Sequence, residues 1–512
     1  MGIEHGKLYR TIAGSLRATA CLLLIALAAG IASAENAGPP QDFSTATLPS
    51  DAISRAQIDD YADLAVNWMQ QYLRIDTTNP PGHEMQAVRW LQKILDAEGI
   101  ENRAFEFAAG RGDIWARIPA TLPGRKRPII LLNHIDVVTS NPARWTAPPF
   151  SGAIIDGSMY GRGAQDMKSD AIAQLLVLVM LKREHTPLDR DILFLATADE
   201  EVNDAGTDWF IAHHPELLEN AEFLLTEGGE NPLQYGQVSY VAVDVAEKSP
   251  FWLHVVAHGH AGHGSRPLDD SAPNRLLAAL NRILAYRPQP RIAPVVAASL
   301  EQMAVLEPAP RAWQFRHIHD AMRDPSFVQQ LLHDDSLNYM VLPTISLTMM
   351  GGARQTNVIP AEAWANLDVR LLPGDDPQQF LARLRSLVAD PVVSITPLSK
   401  DFAVANSSPI ETPLMSAIRE VAARYFGPAP VLPRLTSGYT ENQRFRKLGI
   451  VSYGYSPYTA TPEEGSTEHA DNERIRVTEL RRGFRVLYDV VTTVAGSPRP
   501  AANYVAERGR SR

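Results

Sequence analysis

The chain has 512 residues, 45% of them hydrophobic and 21% charged, an ordinary globular balance that suits two domains with tails better than one small core. Its net charge of −10 is modest, with both signs interspersed, which speaks against a phosphate-tracking surface and a nucleic-acid partner. The only cysteine, Cys21, lies near the N-terminus, so a chain processed beyond it has no disulfides or thiolates and must draw any metal ligands from histidine and carboxylates.

Lys7, Arg10 and Arg17 precede an apolar run from Ala18 to Ala29, and Ala32-Ser33-Ala34 supplies the small residues of a cleavage site. That order reads as a secretory signal peptide over residues 1–34, with a secreted or periplasmic product. The run is short for a bilayer span, so a permanent single-span anchor is the weaker alternative and no stable membrane insertion is expected. Residues 35–50 and 497–512, rich in Pro and small residues, read as a disordered linker and tail.

Between these ends helix and strand alternate. Ala87, Val88, Leu91, Ile94 and Leu95 recur at helical spacing and stop at Gly99. The run Ile129 to Leu132 breaks into Asn133-His134-Ile135-Asp136, as a buried strand ending in a loop would. A helix from about Ser169 to Arg183 leads into a strand, Ile192 to Thr197, that ends at Asp199-Glu200-Glu201. A further strand, Phe223 to Leu225, ends at Thr226-Glu227-Gly228-Gly229. The alternation implies an α/β domain: a mixed, mainly parallel sheet with helices on both faces. Its polar residues fall at the C-terminal ends of strands, where such sheets bind ligands.

From Glu247 the order becomes strand (Phe251 to Ala257), helix (Asn274 to Leu284), two strands (Thr344 to Met350, Ala363 to Leu371), helix (Pro377 to Leu387) and strand (Val392 to Thr396). This βαββαβ order is that of a ferredoxin-like domain. The expected organisation is a catalytic domain over 51–246 and 402–496, interrupted at 247–401 by the second domain, with a helical excursion at 287–342. The first domain resumes near Pro409 with a helix from Thr412 to Tyr425.

His134 and Asp136 alone would suit any solvated loop. The turn Gly161-Arg162-Gly163-Ala164-Gln165-Asp166 presents a carboxylate just before a helix; a phosphate-binding loop is the alternative, and the carboxylate argues against it. Asp199-Glu200-Glu201 fits an exposed acidic turn or a cation site, since crowded buried carboxylates repel unless a cation neutralises them. Glu227 repeats the pattern, and Glu468-His469-Ala470-Asp471-Asn472-Glu473 adds a distant histidine.

In this order the residues resemble the co-catalytic dizinc family of aminoacylases, glutamate-releasing and yeast vacuolar carboxypeptidases, dipeptidases and succinyl-diaminopimelate desuccinylase, over about Asp60 to Val494. Glu227-Gly228-Gly229 and Glu247-Lys248 look nearest the vacuolar carboxypeptidase and N-acyl-amino-acid hydrolase branch. The resemblance implies two Zn²⁺ per chain, with Co²⁺ or Mn²⁺ as substitutes: His134 and Glu227 on one, Glu201 and His469 on the other, Asp166 bridging. Three carboxylates would leave that cluster net positive, so a bridging water would ionise near neutral pH. Glu200 would be the general base and Asp136 would hold the His134 ring.

In the second domain, His263 resembles the histidine that steadies the oxyanion, in the family often from the partner subunit, which implies a homodimer through this domain. Asn357 and Arg370 resemble the residues that hold the substrate amide and its free carboxylate. His258 and His260 read as non-catalytic. The implied activity is hydrolysis of the amide bond of a small peptide or N-acyl amino acid. A dipeptidase or other small-amide hydrolase is the alternative, and a catalytically silent binding module the alternative outside enzymes. One segment departs from pattern: Tyr439-Thr440-Glu441-Asn442-Gln443-Arg444 stands where relatives carry Gly-Thr-Asp, a small residue and Arg.

Overall fold

The computed structural model describes residues 53–218, 220–399 and 405–496; the signal peptide, linker and tail expected from the sequence lie outside them. One unit, Ser50–Leu233 with Val238–Arg512, contains both sheets. Helix α1 (Arg55–Leu73) starts at a capping box: Ser54 Oγ accepts from the Gln57 amide, and the Gln57 side chain accepts from the Ser54 amide. α2 (Met85–Ala97) buries Ala87, Val88, Leu91 and Leu95 and gives way to Gly99, whose φ of +61° is a conformation suited to glycine just past a helix end.

The first sheet is laid down by β1 (Glu101–Ala108), β2 (Arg111–Ile118), β3 (Lys126–His134), β4 (Arg190–Thr197), β5 (Phe223–Thr226) and β6 (Val241–Glu247), with α3 (Lys168–Arg183) between β3 and β4. The chain then lays down a second sheet from β7 (Leu253–His258), β9 (Thr344–Gly351), β11 (Glu362–Leu371) and β12 (Val393–Pro397), with α4 (Ala272–Leu284) and α5 (Pro377–Val388), and a separate two-stranded ladder of β8 (Gly262–His263) and β10 (Val358–Ile359). It returns through α6 (Pro413–Tyr425), β13 (Val431–Thr436) and β14 (Val451–Gly454), and closes with α7 (Val477–Ala495).

The first sheet has eight strands in the order β1-β2-β4-β3-β5-β14-β6-β13. Its centre is parallel, β4 to β3 to β5 to β14, while β1, β2 and the β14–β6 pair are antiparallel. α3 is buried from Lys168 to Leu181, because it packs on this sheet and against α1 and α7. An all-round apolar helix belongs there. The opposite face buries Trp115, Ile130, Leu132, Leu193, Leu195, Phe210 and Leu224.

The second sheet is antiparallel in the order β9-β11-β7-β12, and β11 alternates buried Ala363, Ala365, Leu367, Val369 and Leu371 with more exposed neighbours. The inward side chains meet Leu276, Leu280 and Ile283 of α4 and Leu381 and Leu384 of α5. The stretch 287–342 is helical as expected: Pro294–Met303, Ala309–Arg316, Ile318–Ala321, Pro325–His333 and Asn338–Val341, the first of them packed on β13.

Candidate metal centre and its cavity

Three neighbouring parallel strands end at the same level. His134 is the last residue of β3, Glu200 and Glu201 follow β4 by a short turn, and Glu227 follows β5 directly. Asp166 arrives from the glycine turn ahead of α3, where Gly163 has a φ of +83° and Val137 Cγ1 would lie 2.6 Å from an added Cβ. Glycine is needed on both counts. His469 comes from the segment before α7.

Asp166 ties these groups together. His134 Nε2 lies 2.8 Å from Asp166 Oδ1 and 3.3 Å from Glu227 Oε2, while His469 Nε2 lies 2.8 Å from Asp166 Oδ2 and 3.3 Å from Glu201 Oε2. The result is two three-residue groups sharing one carboxylate, with the donor atoms of each group within 4.8 Å of one another. Glu201 Oε1 is buried and has no hydrogen-bond partner among the described residues. The set fits two divalent cations: each group offers one imidazole and two carboxylates, a hard-to-borderline donor mixture, and the orphaned oxygen is what a cation would satisfy.

The charges point the same way. Burial, and then the negative charge of Asp166, push Glu227 well above the usual carboxylate range. Burial opposes ionisation of Asp166, but hydrogen bonds from His134 and His469 hold it far below that range. His469, bonded to Asp166 and Glu201, is pushed up to about 11. A site that draws protons onto both its imidazoles is one that demands positive charge.

Buried Glu473, from the same segment as His469, braces the Asp166 turn. Its carboxylate accepts from the amides of Gly163 (2.9 Å) and Gln165 (2.7 Å) and pairs with Arg162 at 2.6 Å. Asn79 bridges Asp136 and Asp199, at 2.8 and 2.7 Å, and Arg111 pairs with Asp199 at 2.8 Å, turning that carboxylate away from the cluster. Sequence reasoning missed these three supports; only Glu473, inside the His469 segment, carried a signal.

Asp136 acts through different atoms from those expected. His134 Nδ1 meets the Asp136 main-chain carbonyl at 3.0 Å, whereas the carboxylate is 3.8 Å from that nitrogen. The carboxylate instead accepts the amides of Glu200 (3.1 Å) and Glu201 (3.2 Å). Two successive N–H groups at a chain turn attract an acceptor more strongly than a ring already bonded to a carbonyl.

A cavity of about 1070 Å³ opens over the cluster, with Glu200 and Arg370 in its wall. Burial, then the charge of Glu227, raise Glu200 well above the usual carboxylate range. Arg370 leaves β11 and pairs with Asp368 at 2.8 Å. Trp252, about half exposed, stands in the same wall. His263 and Asn357 are not brought to the cluster. They adjoin each other on the β8–β10 ladder, where the Gly264 amide donates to the Asn357 carbonyl at 2.8 Å, and neither lines the cavity. His258 faces Glu362 and His260 faces Asp270, both at the surface.

In the atypical segment, Arg444 does reach the cavity wall, but Asp204 (2.7 Å) and Asp208 (2.5 Å) hold it. Tyr439 Oη also donates to Asp204, and buried Glu441 accepts the Thr197 hydroxyl at 2.7 Å. The charge of Arg444 is thus engaged within the protein.

The family model described as peptidase family M20/M25/M40 matches residues 130–493. Aminoacylase-1A of Rattus norvegicus is 28% identical over 441 residues, 85% of this chain and 96% of that protein. N-fatty-acyl-amino acid synthase/hydrolase PM20D1 of Bos taurus is 28% identical over 383 residues, 71% of this chain and 74% of its own length. Among solved structures, the M20 family metallo-carboxypeptidase Sso-CP2 of Sulfolobus solfataricus superposes with a TM-score of 0.64 at 17% identity, over 84% of this chain and 99% of that one. That likeness establishes a shared fold.

Proposed function

The chain belongs to peptidase family M20/M25/M40 and is a hydrolase of amide bonds, and from that premise we propose that it is a two-zinc enzyme releasing amino acids from N-acyl amino acids or small peptides. The observation that carries this reading is the Asp166 carboxylate shared between His134 and His469, with Glu227 and Glu201 completing the two groups. His134, Glu227 and Asp166 would hold one ion, and His469, Glu201 and Asp166 the other. When bound, the two ions supply Lewis acidity, polarising the substrate carbonyl and acidifying water.

The remaining work falls to side chains. The Glu200 carboxylate has no hydrogen-bond or ion-pair partner among the described residues and opens onto the cavity, so it is free to take a proton from water and hand it to the leaving nitrogen. Its main chain is fixed by Asp136, which sets where the carboxylate points. Arg370 offers a planar fork to the substrate carboxylate, in exchange for its present bond to Asp368.

His263 and Asn357 lie outside this chain's own cavity, so in this reading they serve the site of a second copy. Edge strand β9 supports that arrangement: it exposes Leu347, Met349 and Met350, an apolar stripe suited to pairing with its twin. Export through the 1–34 segment is part of the same proposal. The test is hydrolysis of N-acyl amino acids against their carboxyl-blocked amides by zinc-loaded protein. Preference for the free acids is expected, and equal rates would remove the role given to Arg370.

A further inference from the structure

Beyond the reaction itself, the cavity contains an acidic side chain that the proposed chemistry leaves unused. Asp170 sits in the first turn of α3, is only 6% exposed, and lines the cavity. Its carboxyl group makes no hydrogen bond or ion pair with any described residue; burial, then the charge of Asp166, raise it well above the usual carboxylate range, with His134 opposing and Glu468 adding to the shift. The adjacent Ser169 Oγ is buried and also has no hydrogen-bond partner among the described residues.

An acid in the first turn gains something from the helix dipole, but only on the order of 1 kcal/mol. That does not offset burial, so Asp170 is held in its neutral form and ionises when a cation in the cavity meets it. Tyr458, whose hydroxyl donates to the Ser169 carbonyl at 2.7 Å, stands beside Asp170 and supplies an aromatic surface, and Ile475 and Pro462 line the same cavity. A carboxylate set in such walls suits an organic cation, whose methylenes lie on the rings while its charge meets the acid.

We propose that Asp170 anchors a specificity subsite for a cationic group, an ammonium or guanidinium, on the substrate of the amide hydrolase proposed above, on which this inference rests. The cation has two sources: the acyl part of the substrate, or the side chain of the released amino acid.

Two isosteric substrate pairs separate them. 5-Aminopentanoyl-leucine against hexanoyl-leucine tests the acyl source, and N-acetyl-lysine against N-acetyl-2-aminoheptanoic acid tests the side-chain source. The metal-loaded full chain should favour the cationic member of one pair, chiefly through KM. Asp170→Asn should lower kcat/KM for that member by about 30-fold or more, since truncating a buried charge pair costs heavily, and leave the neutral member nearly unchanged.

Should that variant fold poorly, the wild type alone decides: butylammonium should inhibit turnover of the neutral member competitively, and 1-pentanol should not. Equal rates within both pairs, or inhibition indifferent to charge, overturn the subsite while amide hydrolysis stands. Turnover of none of the four compounds overturns the hydrolase reading, and the subsite with it.

Discussion

The two sheets divide the chemistry unequally. In the first, the ends of β3, β4 and β5 lie side by side because parallel pairing sets them in register, and the three ends converge on one cluster with Asp166 and His469. The antiparallel second sheet brings Arg370 to the cavity, whereas His263 and Asn357 sit at a separate two-stranded ladder, β8 with β10, and do not line it. A parallel sheet assembles a site within one chain by its geometry alone. An antiparallel one, helix-covered on one face, leaves its edge strand exposed at Leu347, Met349 and Met350.

The division can be broken by substitutions on each side. Glu200→Gln should lower kcat by about 10²- to 10⁴-fold, as loss of a general base does, with metal content unchanged. A variant retaining most of its activity would move the base elsewhere. His263→Ala should lose about 10²- to 10³-fold, the usual loss of an oxyanion donor. If the second sheet serves a partner's site, mixing His263→Ala with Glu200→Gln chains should restore part of the activity. Absence of rescue would mean that each chain completes its own site.

Arg370→Ala should raise KM for free-acid substrates by about 10- to 100-fold, the loss of a charged hydrogen-bonding pair, and leave carboxyl-blocked analogues little affected. The smallest effect sharpens the electrostatic side. In the metal-free chain Asp166 and Glu201 push His469 up to about 11. The stability this proton contributes is fully present below the unfolded histidine value, about 6.5, and is lost as pH rises through about 11. A metal must displace that proton, so apparent zinc affinity should increase with pH across the neutral range, with proton release measurable by calorimetry in buffers of different ionisation enthalpy.

Much of this was legible in the sequence, for identifiable reasons. Apolar runs that stop abruptly at His134, at Asp199-Glu200-Glu201 and at Glu227 mark buried strands with polar ends, and each strand lies where the pattern puts it. The βαββαβ order of the second sheet is equally plain, because β11 alternates and α4 and α5 are amphipathic. What escaped depends on contacts distant in sequence. β6 and β13 each carry a charge inside a buried strand, and only their register, Asp244 beside Arg434 in a bond of 2.5 Å, makes both acceptable. β1 is half-exposed and interspersed with polar residues. The preference of the Asp136 carboxylate for two amides over the His134 ring is a matter of chain direction at a turn, which no spacing encodes.

The central claim is that Asp166 joins two metal sites into one centre. Zinc content of dialysed wild-type and Asp166→Asn protein, measured by plasma mass spectrometry alongside circular dichroism to confirm folding, tests it directly. Two zinc ions per wild-type chain, with both lost or severely weakened in a folded Asp166→Asn chain, is the predicted result. Fewer than one ion per wild-type chain, or a variant that keeps both, would contradict it.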